Sequence, residues 1–296
     1  MSSPLDCLRE AGRIASAVRE HAALRIVAGA SVRDVCQEAD EEIARRGGGA
    51  AFPTQSSRNE IAAHYCPSPT DDTKYEDGDL AKLDLGVHVD GYVVDTALTV
   101  NVGDRPENRA LVNAARAALD AAIAAAGAGV AIRTISGAIE TTIRSHGLRP
   151  MRNLCGHGVG RWRVHCPPPV PNIMEPTSDR LPQGAVVAFE PFATTGGGLV
   201  VEQGQAEVFR FDPARPDPEG ADAEVMALIR AFRGLPFARR QLRRPTAENL
   251  EATLALLRSR RALQAYPPLV EASGRPVAQA EHTLYLGPEG VVVLTQ

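Results

Sequence analysis

Leu83, Leu85, Val87 and Val89 alternate with Lys82, Asp84, Gly86 and His88, a period of two that predicts a strand with one apolar and one polar face. The strand runs into Asp90-Gly91, the dipeptide most typical of a tight primed turn, and Tyr92–Thr96 returns from it. A two-residue loop pairs Val89 with Tyr92, Gly86 with Asp95 and Asp84 with Ala97. Paired residues share a face, and so do residues two apart. Asp84 and Asp95 are therefore expected as diagonal neighbours close enough to share an ion, with Gly86 leaving the space beside them open.

Helical periodicity brackets this hairpin. Leu8, Ile14, Ala15, Val18, Ala22 and Leu24 mark a first helix from Pro4 to about Ala28, with Ser3 as N-cap and Pro4 at its first position. Ser31 and Asp34 open a second, which runs to Arg46 and stops at Gly47-Gly48-Gly49. Short strand-like segments follow around Ala51-Phe52 and Glu60-Ile61, and then a polar loop, Pro67–Asp79. After the hairpin the pattern restarts, with helices at Arg109–Ala126 and Thr134–Ser145 and a stop at Gly147. Ala126-Gly127-Ala128-Gly129-Val130 echoes Ala28-Gly29-Ala30-Ser31-Val32, and Ile135, Ile139 and Ile143 echo Val35, Ala39 and Ile43. The echo predicts two α/β halves related by duplication, with a site between them. Strands are expected near Met151–Leu154, Ala185–Pro191, Leu199–Phe209, Pro276–Leu286 and Gly290–Leu294. Between them, after a Pro/Asp-rich connection at Asp212–Glu219, Ala221–Ala265 reads as helical with a break at Gly234-Leu235-Pro236. The chain is thus expected as a single domain over residues 1–296, with a helical insertion at 212–270.

Composition narrows the class. The 296 residues are 44% hydrophobic and 23% charged with net charge −4, ordinary for a globular protein and without the basic surplus that nucleic acid or an anionic membrane would favour. Five cysteines form no CxxC pair, so reduced thiols in a cytoplasmic protein are expected, and no apolar run is long enough to span a bilayer.

Three further places carry chemistry. His157 sits in a glycine-rich stretch, Asn153–Gly160, expected as a turn at a strand end. Glu190 closes the apolar run Val186–Phe189, where a carboxylate is costly unless paired or bound to metal, and Glu281 does the same on the penultimate strand. Each alone has an ordinary structural explanation: a turn cap or salt bridge for the aspartates, a hydrogen-bonded loop for the histidine, a water-facing edge for the glutamates. Together, four carboxylates and one imidazole make a hard, oxygen-rich set suited to two adjacent divalent cations and an activated water. Cysteine-based sites are excluded by ligand type.

Asp84, Asp95, His157, Glu190 and Glu281 fall in the order and context of the dimetal ligands of the methionine aminopeptidases, and the chain resembles their type II (archaeal-like) branch. The resemblance extends through Ala51-Phe52-Pro53, Asn59–Tyr65, Pro171-Asn172-Ile173, Glu190–Ala193, Leu235–Arg240, Tyr266–Leu269 and Glu281-His282-Thr283, essentially the whole chain. It implies an α/β (α+β) pita-bread fold, a curved antiparallel sheet in two pseudo-symmetric halves covered by helices, with the helical block Ala221–Ala265 as the type II insertion. It also implies two divalent metal ions (Mn, Fe, Co or Zn) held by those five residues, Asp95 and Glu281 bridging. Their bound water would attack the first peptide bond and release the N-terminal methionine of peptides or nascent proteins. Glu190 would handle the proton, His64 and His165 would contact the substrate around the cleaved amide, and Phe52 and Tyr266 would line the methionine pocket. A monomer without nucleic-acid or membrane partners is expected.

Departures from the family pattern open an alternative. Ala280 replaces a usual Phe before the bridging glutamate, Cys155 a Ser or Thr, Cys166 follows His165, and Gln241 stands where an aromatic is common. Ala280 and Cys166 are expected to reshape the substrate pocket. The same fold would then serve an aminopeptidase of altered specificity, a specialised peptide-tailoring enzyme or an inhibitor-resistant extra copy. A non-catalytic binding homologue predicts lost ligands, and none of the five is lost.

Overall fold

The computed structural model describes residues 3–243 and 245–296. Arg244, within the stretch expected to be helical, lies outside them. In chain order the elements are α1 (Pro4–Arg25), α2 (Val32–Arg45), β1 (Gly49–Arg58), β2 (Ile61–Ala63), β3 (Leu80–Val89), β4 (Tyr92–Asn101), α3 (Pro106–Ala125) and α4 (Ile132–Ser145). Then come β5 (Arg149–Pro150), β6 (Cys155–Gly160), β7 (Arg163–Pro171), β8 (Val186–Phe189), β9 (Phe192–Thr194), β10 (Val200–Glu202) and β11 (Val208–Phe211). The last part holds α5 (Ala223–Ala231), β12 (Phe237–Ala238), α6 (Ala247–Ser259), β13 (Leu263–Tyr266), β14 (Leu269–Glu271), β15 (Val277–Gln279), β16 (Glu281–Gly287) and β17 (Gly290–Val293).

The main sheet is antiparallel in the order β1-β3-β4-β16-β8-β6-β7, with β17 added to β16. The apolar faces of α1 and α2 cover β3 and β4 in one core, Ile14, Val18, Val35 and Ile43 against Leu83, Leu85 and Val87. The faces of α3 and α4 cover β8 and β16 in a second, Ala118, Ile135, Ile139 and Ile143 against Val187, Phe189 and Leu284. Ser3 caps α1 by accepting from the Asp6 amide, and Ser31 caps α2 by accepting from the Asp34 amide.

The duplication is written in the backbone. Gly29 N–H donates to Tyr75 O (2.8 Å) and Val32 N–H to Thr73 O (3.0 Å); Gly129 donates to Leu181 (2.8 Å) and Ile132 to Asp179 (3.0 Å) in the same way. Further along, Gly78 donates to Val102 (2.9 Å) as Gly184 does to Leu286 (2.7 Å), and Val102 to Asp79 as Leu286 to Ala185, both at 2.9 Å. The β3–β4 pair is therefore the counterpart of β8–β16. Asp84 stands five residues after Asp79, and Glu190 five after Ala185, so these two carboxylates occupy equivalent places in the two halves.

Several expectations need correction. Residues 151–154 form a turn rather than a strand, and the expected strand at Leu199–Phe209 is two short ones, β10 and β11, in different sheets. The stretch expected as helical is α5 and α6 around the short strand β12, with β13 at its end pairing with β11. These elements enclose their own apolar cluster, Phe209, Phe211, Val225, Ile229, Phe237, Leu254 and Leu257 among its members. Gln241, in place of an aromatic, accepts from the Ala238 amide at 3.0 Å. Next to it, Arg240 is buried on Asp40 of α2 and donates to the Thr54 carbonyl of β1 at 2.6 Å, which ties this region to the first half.

Candidate metal centre

The hairpin has the register that its sequence predicts: Val89 faces Tyr92, Gly86 faces Asp95 and Asp84 faces Ala97. Asp90 (φ 50°) and Gly91 (φ 83°) both take the positive φ of a type I′ turn. On the next strand Glu281 also faces Ala97. Asp84, Ala97 and Glu281 thus form one row across β3, β4 and β16, with Asp95 one step along on the same face. The small side chain of Ala97 leaves the space between the two carboxylates open. Glu190 follows β8 directly, and His157 on β6 faces Ala188, two residues before Glu190.

These five side chains converge. His157 Nε2 lies 3.7 Å from Asp95 Oδ2 and 3.6 Å from Glu190 Oε1. Asp95, His157 and Glu281 each offer a ligand atom within 4.8 Å of the others. Asp84 Oδ1, Asp95 Oδ1 and Glu281 Oε1 are buried with no hydrogen-bond partner. Partnerless buried carboxylate oxygens are expensive, and a divalent cation is the group that their donor set fits.

The electrostatics agree. Burial raises Asp84 to about 7. Asp95 is pushed well above the carboxylate range by burial, then by the charges of Asp84 and Glu190. Glu190 rises through burial and Asp84, and Glu281 through burial and its three carboxylate neighbours. Without a positive charge these groups cannot all ionise. Burial, followed by neighbouring His165, lowers His157 to about 3, so its imidazole is neutral and free to ligate.

A cavity of about 230 Å³ contains all five, and Phe52, His64, His165 and Tyr266 lie on its wall with them. Every site residue expected from the sequence is therefore brought together. His64 adopts φ 66°, and its Nδ1 is buried without a partner. Burial and then His165 lower it to about 4. His165 stands at the mouth, its ring 4.3 Å from that of His157, centroid to centroid. Surrounding protein and then Arg210 hold its pKa below the usual imidazole value.

Other expectations fail here for clear reasons. His157 is inside strand β6 and not in a turn. A Cβ on Gly156 or Gly158 would strike the carbonyls of Ala188 and Pro167, so the glycines serve close strand packing. The space beside Gly86 is not open: β1 pairs Phe52 with Gly86, and the Phe52 ring fills it. Ala280 and Cys166 are not on the cavity wall. Strand alternation turns Ala280 into the helix-side core while Glu281 faces the cavity, and Cys166 points to Gly160. Cys155 does line the cavity. The polar face of β3 is interior too: Lys82 is buried and donates to the carbonyls of Asn59 (2.7 Å) and Leu80 (3.2 Å), and burial lowers its pKa to about 7.

Sequence reasoning missed the supports behind the cluster. Gln279 Nε2 donates to Glu190 Oε2 (3.4 Å) and Glu281 Oε2 (3.3 Å). The Asp95 amide donates to Thr283 Oγ1 (2.7 Å), which in turn donates to Asp95 O (2.8 Å). Gln279 and Thr283 each stand two residues from Glu281, and that same-face spacing was the available signal.

The model of the metallopeptidase family M24 matches residues 6–230. The chain belongs to family M24. Among its M24 relatives, the methionine aminopeptidase of Methanothermobacter thermautotrophicus is 42% identical over 299 residues, covering 100% of both chains. That of Thermococcus kodakarensis is 43% identical over 293 residues, 98% of this chain and 99% of its own. Among solved structures, a methionine aminopeptidase from Thermotoga maritima superposes with TM-score 0.73 at 23% identity, covering 100% of this chain and 98% of that one. A thermophilic Arx1 superposes with TM-score 0.84 at 16% identity, covering 98% and 90%. These likenesses bear on the fold, and the fold is the pita bread that the resemblance implied. Among the described residues no helix is long and apolar enough to cross a membrane.

Proposed function

We propose that the protein is a methionine aminopeptidase, a hydrolase that depends on divalent metal ions and removes the N-terminal methionine from peptides and nascent proteins. The observation that carries this reading is the partnerless oxygens of Asp84, Asp95 and Glu281, converging with neutral His157 on one cavity of a chain more than 40% identical to methionine aminopeptidases. Asp84, Asp95, His157, Glu190 and Glu281 would hold two cations. Cations there supply Lewis acidity, polarising the first peptide carbonyl and making a water easier to deprotonate.

The chain's own groups do the rest. Glu190, steadied through Oε2 by Gln279, accepts a proton at its carboxylate as the carbonyl is attacked. His64 and His165, both neutral at pH 7, donate N–H bonds to the substrate around the cleaved amide. Phe52, Phe192 and Tyr266 supply apolar wall for a thioether side chain. Retention of the whole ligand set disfavours a non-catalytic homologue. Placement of Ala280 and Cys166 away from the cavity removes the main argument for altered specificity and leaves Cys155 as the departure that faces substrate. We further propose a monomer that acts in the cytoplasm, with residues 212–270 as an insertion within one catalytic domain.

Titration calorimetry with Mn²⁺ or Co²⁺ tests the ligand assignment. Two cations per chain are expected, and none would overturn it. Gly86→Ala is expected to displace the Phe52 ring and raise KM for methionyl peptides by about tenfold, the worth of roughly one buried aliphatic group, with cation stoichiometry unchanged. Steady-state kinetics read the result, and an unaltered KM would remove Phe52 from the pocket.

A further inference from the structure

A second cavity of about 320 Å³ adjoins the first and shares Val164, His165, Pro236 and Tyr266 with it. Strand register builds it. In the β11–β13 pair Val208 faces Tyr266 and Arg210 faces Gln264. A period of two puts both pairs on one face, so the wall begun by Val208 and Tyr266 in the first cavity continues as Arg210 and Gln264 in the second. On β7, Arg163 and His165 both line this cavity, brought there across a register shift in the pairing with β6.

The lining contains two arginines and no carboxylate. Arg210 Nε donates to the Gly234 carbonyl at 2.9 Å, which fixes the guanidinium plane and leaves its two terminal nitrogens to point elsewhere. Among the described residues no carboxylate comes within salt-bridge distance of Arg163 or Arg210. Other arginines of this region are occupied, Arg239 by Glu207, Arg240 by Asp40 and Arg230 by Asp217, while Arg215 donates to the Arg261 carbonyl and Arg233 lies over the Trp162 ring. Two guanidinium groups at one cavity without a counter-charge suit a planar anion, because their forked donors match a carboxylate.

We propose that Arg163 and Arg210 form a carboxylate subsite for the peptide downstream of the scissile bond, filled by a carboxylate on the third residue. The inference rests on the aminopeptidase reading. One same-face step along a strand is about 6.7 Å, the length of two extended residues. A peptide whose first bond lies at His165 and Tyr266 therefore brings its third residue beside the arginines. The carboxylate is either the C-terminus of a tripeptide or an Asp or Glu side chain at position three of a longer chain.

The test is kcat/KM of the metal-loaded protein on Met-Ala-Ser, its C-terminal amide, Met-Ala-Asp-amide and Met-Ala-Asn-amide. Preference by about tenfold for acid over amide identifies the C-terminus as ligand, and the same preference for Asp over Asn identifies the side chain. Either ratio is expected to fall to near one in Arg210→Met and to shrink in Arg163→Gln, a change at an exposed residue that leaves the fold intact. Equal rates on all four peptides, or ratios unchanged in both variants, would overturn the subsite and leave the aminopeptidase reading standing. No methionine from any peptide would overturn both.

Discussion

Stripped of divalent cations, the protein is expected to lose stability as the pH rises and to regain it when Mn²⁺ or Co²⁺ is added. An unfolded carboxylate titrates near its ordinary value of about 4. In the folded chain burial holds Asp84 at about 7, and Asp95, Glu190 and Glu281 are pushed well above the carboxylate range by burial and then by the charges of Asp84 and of neighbouring carboxylates. Between the two values the folded state binds more protons than the unfolded one, so stability falls with rising pH and is highest below the unfolded value for these groups. The effect is on the order of a few kcal/mol, or roughly 5–10 °C in the melting midpoint. Melts in chelator at pH 5 and pH 8 read it directly, and cation should raise the pH 8 midpoint most. Equal midpoints at the two pH values in chelator would mean that the cluster is not the electrostatic burden described above.

Glu190→Gln is the second large effect. The amide preserves volume and can still accept from Gln279, but it removes a negative charge and the proton acceptor. A loss in kcat of about 10²–10⁴-fold is expected, the usual contribution of a positioned general base, while the fold persists. Steady-state kinetics of the metal-loaded variant, with its melting curve beside them, check this. A kcat within a few-fold of the parent would move the proton-handling role to another residue.

How much of this the chain disclosed depended on range. The hairpin register was readable because a period of two and Asp90-Gly91 are local signals, and the register alone made Asp84 and Asp95 neighbours. The duplicated helices were readable from their apolar faces, since Val35, Ala39 and Ile43 and their counterparts Ile135, Ile139 and Ile143 are all buried. Local signals misled where glycine served packing: Gly156 and Gly158 resemble a turn yet admit β8 and β7 close to His157. Strands β13 and β14 flank Pro267-Pro268 and are too short to show alternation. Long-range pairing decided the rest. Nothing near Arg210 in the sequence says that it faces Gln264, or that Phe52 fills the space at Gly86.

The most direct measurement is release of free methionine from Met-Ala-Ser by the metal-loaded protein, compared with Ala-Ala-Ser and Met-Val-Ser and with Glu190→Ala as control. Rapid release from Met-Ala-Ser, far slower turnover of Ala-Ala-Ser and none by the variant are the expected results. Two bound cations with no methionine released would contradict the account.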